Sequence, residues 1–477
     1  MPVDYDLVII GGTLAAREAA IAAAGLRAQV ALVEPPNQDR GLDADLCLRL
    51  WQQVGQQQRQ ANRVEPFKGN LLPKPERSTP EQISQSWSQG MAWAQTIADT
   101  LAEERSLEVL SAQGVDVRVG RGEFVRRPNV GFVVEGHLLR SRAYLLANQR
   151  TTPQLDLPGL PGVSPLTPET LVTLGQLQRL PRRLLILGGD SRAVAWAQAL
   201  VRIGIEATVI CPSRMLPNED PELAALMQAV LEADGVHVLS HTPIDAAEAQ
   251  AQQVVVQAHG RSLKGDHILI TAPPQLDQTG LNLAGIGLES LTVTSKLKTR
   301  HPRVYALSGD SQHAQFEAAI AIKNALFLPL WRLQPQWMPN IVRTDPPLAR
   351  VGLTAAQAQQ QWGKAVSSIA LPLKQVPKAQ LRAETTGLSK FVVHRNGQIL
   401  GAHILAPEAE EWIGTIALAM QTRQPLPKLA KGAIASSSVA AILYEAERVW
   451  RMQLLHQHPR VLDALDSGFD WLRSRDH

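Results

Sequence analysis

An α/β fold with two similar β-α-β units and a separate C-terminal α+β region is predicted by three features of this 477-residue sequence. Two of them are residues 4–34 and 183–210, in which a short apolar run, two glycines, a helix-favouring stretch and a second apolar run follow one another. The third is residues 391–405, where strand-like runs flank Asn396-Gly397 and predict a β-hairpin with a type I′ turn.

The first unit has the layout of a dinucleotide-binding site. A strand predicted over residues 7–10 ends at Gly11-Gly12, and a helix predicted over residues 13–24 begins directly after them. Such a turn lets a phosphate approach the helix N-terminus, where unpaired N–H groups and the helix dipole favour an anion. Glu34 closes the next strand, at the place where such units carry an acid that accepts hydrogen bonds from ribose hydroxyls.

The glycine pattern G-x-G-x-x-G is incomplete in this unit. Gly11 keeps the first place, but Thr13 stands at the second and Ala16 at the third. Thr13 puts a β-branched side chain where backbone normally meets pyrophosphate, although its hydroxyl could bond a phosphate instead. The alternative is a buried β-α-β unit that binds no nucleotide, because a fold does not by itself set a function.

The second unit departs further from the pattern. Asp190 occupies the second glycine place, Ala193 the third, and Cys211 stands where the ribose-binding acid would be. A carboxylate at the second place can cap the helix itself and would repel a bound pyrophosphate. We therefore expect NADH and NADPH to bind weakly or not at all.

Other elements are predicted outside the two units. Helices are expected over residues 43–58 and 84–111, a proline-rich linker over residues 153–165, and a strand that begins at Val304 and ends in Gly309-Asp310. Apolar residues at near-helical spacing predict a helix in the tail, which could dock on its own dimer or on a partner: Val461, Leu462, Leu465, Phe469 and Leu472.

Composition argues against several kinds of partner. A net charge of +3 is too small to indicate nucleic acid or a membrane surface, and no apolar run of about 18 residues predicts a membrane span. The chain enters a strand at once, without a signal peptide, and its two cysteines, Cys47 and Cys211, are far apart. We therefore expect a cytoplasmic protein with neither a disulfide framework nor a metal site.

The order of these motifs resembles that of the flavoprotein disulfide reductases, such as dihydrolipoamide dehydrogenase and mercuric reductase. The most specific stretches are DYDLVIIGG, PRRLLILGGD, TSKLKTRHPRVYALSGD, NIVRTDPPLARVGLTAAQA and GQILGAHILAPEAEEWIGTIALAM. The resemblance implies two Rossmann-like dinucleotide-binding domains and a C-terminal α+β dimerisation domain, hence a homodimer. The implied segments are an FAD-binding domain in two parts (1–155 and 276–335), an NAD(P)-binding-like domain (156–275), a dimerisation domain (336–450) and an extension (451–477).

By the same resemblance, FAD lies across the first domain. Its pyrophosphate would lie in the first glycine turn and its adenosine ribose at Glu34. Asp310 would bond the ribityl chain or a phosphate-bound water, with an ordinary turn residue as the alternative. Ala147 begins the stretch Ala147-Asn148-Gln149, which replaces the family's Ala-Thr-Gly. The implied cofactor-binding residues are Gly11, Gly12, Thr13, Ala16, Glu34, Ala147, Gly309 and Asp310.

The departures from the family pattern concern catalysis. Cys47, the one candidate catalytic residue, falls on the flavin-proximal cysteine of the redox disulfide, but its partner place falls on Leu42. The family's proton-relay His and Glu fall on Ser436 and Ala441, neither of which titrates near neutral pH. One thiol without that pair cannot complete dithiol exchange.

Three functions remain open from the sequence. The first is a flavoprotein that transfers electrons without dithiol exchange, with a partner protein, a quinone-like molecule or oxygen as donor or acceptor. The second is a redox-inactive pseudoenzyme that serves as a dimeric scaffold or regulator. The third is a disulfide reductase that pairs Cys47 with a cysteine of another chain. The first is favoured, because the FAD frame is kept; an active protein would be an FAD-dependent oxidoreductase.

Overall fold

The computed structural model of the protein describes residues 3–36, 44–64, 80–126, 130–174, 180–250, 253–308, 311–432, 437–456 and 459–475. The chain forms two compact units, one made of Met1–Ser213 and Asp234–Gln334, the other of Arg214–Ala233 and Pro335–His477. The predicted class is confirmed: two parallel β-α-β sheets and a C-terminal α+β domain are present. The limits of the five predicted segments stay predictions.

The first β-α-β unit builds a five-stranded parallel sheet. Its strands are β1 (Tyr5–Ile10), β2 (Val30–Glu34), β3 (Val115–Val119), β7 (Ser141–Leu146) and β17 (Val304–Ala306). They are ordered β17-β7-β1-β2-β3. Strand β1 is buried on both faces, as its apolar run predicts. Leu7 and Ile9 pack with residues of helices α1 (Leu14–Gly25) and α8 (Ala314–Leu326), while Val8 and Ile10 pack into the core on the opposite face.

An antiparallel sheet covers that opposite face. It consists of β4 (Gly122–Val125), β5 (Gly131–Val134) and β6 (His137–Leu139). Phe124 packs edge-on against Phe132 and against Tyr144 of β7, with ring centroids 5.0 and 5.4 Å apart. A short antiparallel ladder joins β8 (Arg150–Thr151), just before the predicted linker, to β16 (Gln275–Leu276).

The second β-α-β unit repeats the arrangement. Its parallel strands are β9 (Arg183–Leu187), β10 (Glu206–Ile210), β11 (His237–Leu239) and β15 (His267–Ile270), in the order β11-β10-β9-β15. Helices α5 (Pro168–Leu174) and α6 (Ser191–Arg202) belong to the same compact unit, whereas α7 (Pro221–Asp234) falls almost wholly in the other. A three-stranded antiparallel sheet follows: β12 (Ile244–Gln250), β13 (Gln253–Ala258) and β14 (Arg261–Gly265).

The helix predicted over residues 84–111 is two helices, so that prediction was wrong. The observed helices are α2 (Ala44–Val64), α3 (Pro80–Glu103) and α4 (Leu107–Ala112). Ser106 lies between α3 and α4 in an extended conformation, and its hydroxyl accepts a hydrogen bond from the N–H of Val109. Ser106 is therefore the N-cap of α4 and separates it from α3. The spacing of apolar residues does not reveal this boundary.

The C-terminal domain contains a five-stranded antiparallel sheet in the order β18-β19-β22-β21-β20. The strands are β18 (Asn340–Val342), β19 (Leu348–Gly352), β20 (Val366–Pro372), β21 (Leu388–His394) and β22 (Ile399–Leu405). The helices are α9 (Ala355–Trp362), α10 (Pro377–Leu381), α11 (Ala409–Gln421), α12 (Leu426–Ala430), α13 (Ile442–His456) and α14 (Pro459–Arg475). The tail helix is thereby confirmed.

The predicted hairpin is present as the β21–β22 pair, but its turn is not type I′. A type I′ turn needs positive φ at both central residues, and here Gly397 has φ +88° while Asn396 does not have a positive φ. The N–H of Asn396 donates to Nδ1 of His394, and its side-chain oxygen accepts from the N–H of Gln398. These side-chain contacts hold Asn396 outside the left-handed region.

Candidate functional site

The first glycine turn is formed where the ends of β1 and β7 meet. Gly11 has φ +135°, and a Cβ atom at this position would overlap the carbonyl oxygen of Ala147. The N–H of Ala147 donates to the carbonyl oxygen of Ile10 at 2.8 Å. Only glycine suits position 11, since it tolerates the positive φ and leaves room for the backbone of Ala147. The structure thus brings the predicted residues Gly11 and Ala147 together.

Thr13 uses its hydroxyl within the protein. Its Oγ1 accepts from the N–H of Ala16 at 3.2 Å and donates to the carbonyl oxygen of Ala147 at 2.9 Å. It is therefore the N-cap of α1, with one helix N–H satisfied. In the part of the chain that the structure describes, the N–H groups of Leu14 and Ala15 meet no acceptor. The turn keeps donors for an anion, but the Thr13 hydroxyl is not one of them.

Glu34 lies at the end of β2 in a buried ion pair with Arg17 of α1. The exposed fractions of Glu34 and Arg17 are 6% and 8%. Nη2 of Arg17 lies 2.7 Å from Oε1 of Glu34, and Nε lies 3.2 Å from Oε2. Nη1 of Arg17 also donates to the carbonyl oxygen of Arg105 at 3.2 Å. Each carboxylate oxygen retains a second lone pair, so Glu34 could still accept a ribose hydroxyl.

Sequence reasoning missed Arg17. The available signal was a charged residue on the otherwise alanine-rich face of α1, directly after the third glycine place at Ala16.

Sequence reasoning also did not identify Asn148, which follows Ala147, as a site residue. The side-chain nitrogen of Asn148 donates to the carbonyl oxygen of Asp277 at 3.0 Å, and its Oδ1 is buried without a donor in the described part of the chain. An acceptor without a partner therefore lies beside the first turn.

Gly309 and Asp310 lie outside the described residues, as do Leu42 and Ser436. The residue just before them, Ser308, is held by Glu317 of α8. The N–H of Ser308 donates to one carboxylate oxygen of Glu317 at 2.7 Å, and its hydroxyl donates to the other. Glu317 is almost fully buried. The segment leading to Gly309 is thus tied to the helix that packs on the first sheet.

At the second glycine turn, the side chain of Asp190 caps the N-terminus of helix α6. One carboxylate oxygen accepts from the N–H of Ala193 at 2.8 Å and from the hydroxyl of Thr271 at 3.5 Å. Burial raises the pKa of Asp190, while the N–H of Ala193 and the nearby positive charge of Arg192 oppose the rise. The predicted cap is therefore confirmed. Gly188, with φ +127°, keeps the first place of the turn.

Cys211 directly follows β10 and lies beside the second glycine turn. Its thiol is buried and lies 3.7 Å from the carbonyl oxygen of Gly188. Burial, with a smaller contribution from the Asp190 charge, raises the pKa of Cys211 to about 11. The thiol is therefore neutral near pH 7 and is a weak partner for ribose hydroxyls.

Cys47 lies on α2 with 0% of its surface exposed, and it forms no disulfide with Cys211. One turn further along α2, Trp51 stacks on Trp87 of α3 with ring centroids 4.7 Å apart. A Cβ atom at Gly90 would overlap the Trp51 ring, so the two helices are closely packed here. Ala441, at the place of the relay Glu, lies in a short 3-10 turn before α13.

Comparison with protein families agrees with this geometry. Residues 5–325 match the family profile described as pyridine nucleotide-disulphide oxidoreductase. The chain belongs to the pyridine nucleotide-disulphide oxidoreductase family. Residues 338–440 match the dimerisation domain of the same family.

Relatives in this family include mercuric reductases. That of Streptomyces lividans is 27% identical over 455 residues, which cover 90% of this chain and 92% of the relative. That of Bacillus cereus is 26% identical over 441 residues, or 88% of this chain and 67% of the relative.

Solved structures share the fold. LpdA from Mycobacterium tuberculosis has a TM-score of 0.79 at 23% identity, covering 93% of this chain and 99% of its own. The HOCl-induced flavoprotein disulfide reductase RclA from Escherichia coli has a TM-score of 0.77 at 20% identity, covering 92% and 99%. Across the described residues, none of the helices combines the length and apolar character needed to span a membrane.

Proposed function

We propose that the protein is an FAD-binding flavoprotein that transfers electrons without dithiol exchange and binds NAD(P)H poorly. The observation that carries this proposal is the contrast between the two glycine turns. A neutral hydroxyl caps the first helix at Thr13 and leaves neighbouring N–H groups available, whereas the carboxylate of Asp190 occupies the second helix N-terminus. An anionic pyrophosphate is favoured at the first turn and repelled at the second.

The residues present at the first turn fit FAD. Leu14 and Ala15 offer N–H donors for the pyrophosphate, and Glu34 offers acceptors for the adenosine ribose. Oδ1 of Asn148 is a buried acceptor that a ligand N–H or O–H would satisfy. When bound, the flavin accepts electrons and passes them on. Gly11 and Ala147 bring the two strand ends together, and Arg17 holds Glu34 at the sheet edge.

FAD binding is expected to depend on Gly11. Gly11→Ala should raise the dissociation constant for FAD at least about tenfold, because positive φ costs a non-glycine residue about 1–3 kcal/mol and the new methyl meets Ala147. Gly188→Ala is the matched control in the second turn, with φ +127° and its Cβ 3.3 Å from Oγ1 of Thr271. The Gly188→Ala protein should still bind FAD and therefore remain yellow. A colourless wild-type protein whose melting temperature does not rise with added FAD would refute the proposal.

The protein is expected to show no lipoamide, glutathione or mercuric reductase activity. Cys47 is buried, Leu42 stands at the place of its partner, and Ala441 at that of the relay acid. Turnover with NADPH and each substrate should equal the enzyme-free rate, and Cys47→Ala should change nothing. Robust reduction of a small disulfide, abolished in Cys47→Ala, would instead support a reductase that borrows a cysteine from another chain.

A second candidate, a redox-inactive dimeric scaffold, is favoured by the close packing around Cys47 and Trp51, where a reductase needs an accessible thiol. Photoreduction separates the two candidates. Bound flavin that is photoreduced and then reoxidised by oxygen or a quinone at a useful rate supports the electron-transfer function. A colourless protein, or bound flavin that cannot be photoreduced, supports the scaffold.

A further inference from the structure

The order of the strands places Asn148 and Glu34 on opposite sides of the first glycine turn. Strands β1, β2 and β7 run parallel, with β1 between the other two. They end level with one another, because Ile10 of β1 pairs with Val33 of β2 and with Leu146 of β7. Neighbouring strands lie about 4.8 Å apart. Glu34, which ends β2, and Asn148, which follows β7, therefore each lie about one strand spacing from the turn that ends β1.

The side chain of Asn148 is held in one orientation. Its nitrogen Nδ2 donates to the carbonyl oxygen of Asp277 at 3.0 Å, and the N–H of Asp277 donates to the carbonyl oxygen of Gln149 at 2.8 Å. A carbonyl oxygen can only accept, so reversing the amide would lose the first of these bonds. The other end of the amide, Oδ1, is buried and meets no donor among the described residues. A buried acceptor in this state costs stability until a ligand or a water supplies an N–H or O–H group.

The parts of FAD differ in what they offer to this oxygen. The backbone nitrogen of Asn148 lies 2.7 Å from where a Cβ atom of Gly11 would stand, so the residue borders the turn proposed for the pyrophosphate. The pyrophosphate is ionised at neutral pH and has no proton to donate. The adenosine ribose is assigned to Glu34, on the other side of β1. The ribityl chain adjoins the pyrophosphate on its flavin side, and its hydroxyl groups are donors.

We infer that Asn148 accepts a hydrogen bond from a ribityl hydroxyl and so distinguishes the complete flavin dinucleotide from its adenylate half. The inference rests on the proposed binding of FAD and adds a residue that sets its specificity. The neighbouring carbonyl oxygen of Ala147 already accepts from the hydroxyl of Thr13, whereas Oδ1 of Asn148 still lacks a donor. The bond from Asn148 to Asp277 fixes the direction in which this oxygen points.

The test compares FAD with ADP, which shares the adenosine and the pyrophosphate but lacks the ribityl chain. Full-length protein freed of flavin is titrated with FAD, and the ADP dissociation constant is obtained from displacement of FAD by ADP. Asn148→Leu should raise the FAD constant about five- to tenfold and leave the ADP constant within about twofold of wild type. Gln149→Leu, the same kind of change at an exposed neighbouring side chain, should leave both constants within about twofold.

A second variant separates ligand binding from support of the chain. Asn148→Asp keeps an oxygen acceptor but has no N–H to donate to Asp277. Its charge should weaken both ligands without raising the ratio of the FAD constant to the ADP constant by more than about twofold. Circular dichroism checks folding, and Asn148→Ala gives the same comparison if Asn148→Leu does not fold.

Several outcomes would overturn the inference. They are an equal effect of Asn148→Leu on both ligands, no effect on either, and a rise in the ratio for Asn148→Asp as large as that for Asn148→Leu. ADP that fails to displace FAD from the wild type would overturn it as well, since the adenylate half would then not occupy the first turn. A wild-type protein that binds no FAD would instead refute the proposed function itself.

Discussion

Replacing Arg17 with leucine is expected to lower the free energy of unfolding by about 3–5 kcal/mol, the cost of leaving a buried partner charge unpaired. Arg17 and Glu34 are both almost fully buried, and two hydrogen bonds join them. Without the guanidinium, the Glu34 carboxylate is left without its ion-pair partner in a site with little water. Urea unfolding of the FAD-free protein, followed by circular dichroism, measures the change.

A double variant tests the cause. Arg17→Leu combined with Glu34→Leu should recover most of the lost stability, because removing both charges leaves none unpaired. The exposed pair Arg142–Asp6, with 57% and 32% of the side chains exposed, supplies the control. Arg142→Leu should cost less than about 1 kcal/mol. A cost for Arg17→Leu no larger than that of the control would contradict the buried ion pair.

NADPH is expected to leave the flavin oxidised for minutes under anaerobic mixing, because Asp190 repels the pyrophosphate. Two like charges about 4 Å apart cost about 1 kcal/mol in water and about 4 kcal/mol at an intermediate dielectric. Asp190→Asn should therefore tighten NADP+ binding by roughly fivefold to several hundredfold. Asparagine caps a helix about as well as aspartate, so this variant removes the charge and keeps the cap.

The pH dependence of binding gives an independent check on Asp190. Burial raises the pKa of its carboxyl, so the charge is lost at a higher pH than in an exposed aspartate. Binding of NADP+ to the wild type should tighten as the pH falls towards that pKa, and binding to Asp190→Asn should lack this change. Calorimetric titration with NADP+ measures both. Rapid bleaching of the wild-type flavin by NADPH would show that Asp190 does not block the site.

Features that depend on neighbours in sequence could be predicted from the sequence. The β-α-β units follow from apolar periodicity and the glycine turns, and the Asp190 cap reaches only three residues along the chain. Where local rules compete, the prediction was wrong. Apolar spacing predicted one helix through Ser106, but the Ser106 side chain caps a second helix there. The Asn396-Gly397 pair predicted a type I′ turn, but contacts of Asn396 with His394 and Gln398 favour a different turn.

Contacts between distant residues were decided only by the tertiary structure. Arg17 meets Glu34 because α1 packs against the sheet edge where β2 ends, and Thr13 bonds Ala147 because β7 lies beside β1. The helical periodicity of α14 is a local property that the sequence shows. The solvent exposure of its apolar residues depends on how the rest of the chain packs, and only the structure shows it. Local hydrogen bonding and periodicity act over a few residues and can be read along the chain. Burial and ion pairing depend on which segments the fold brings together.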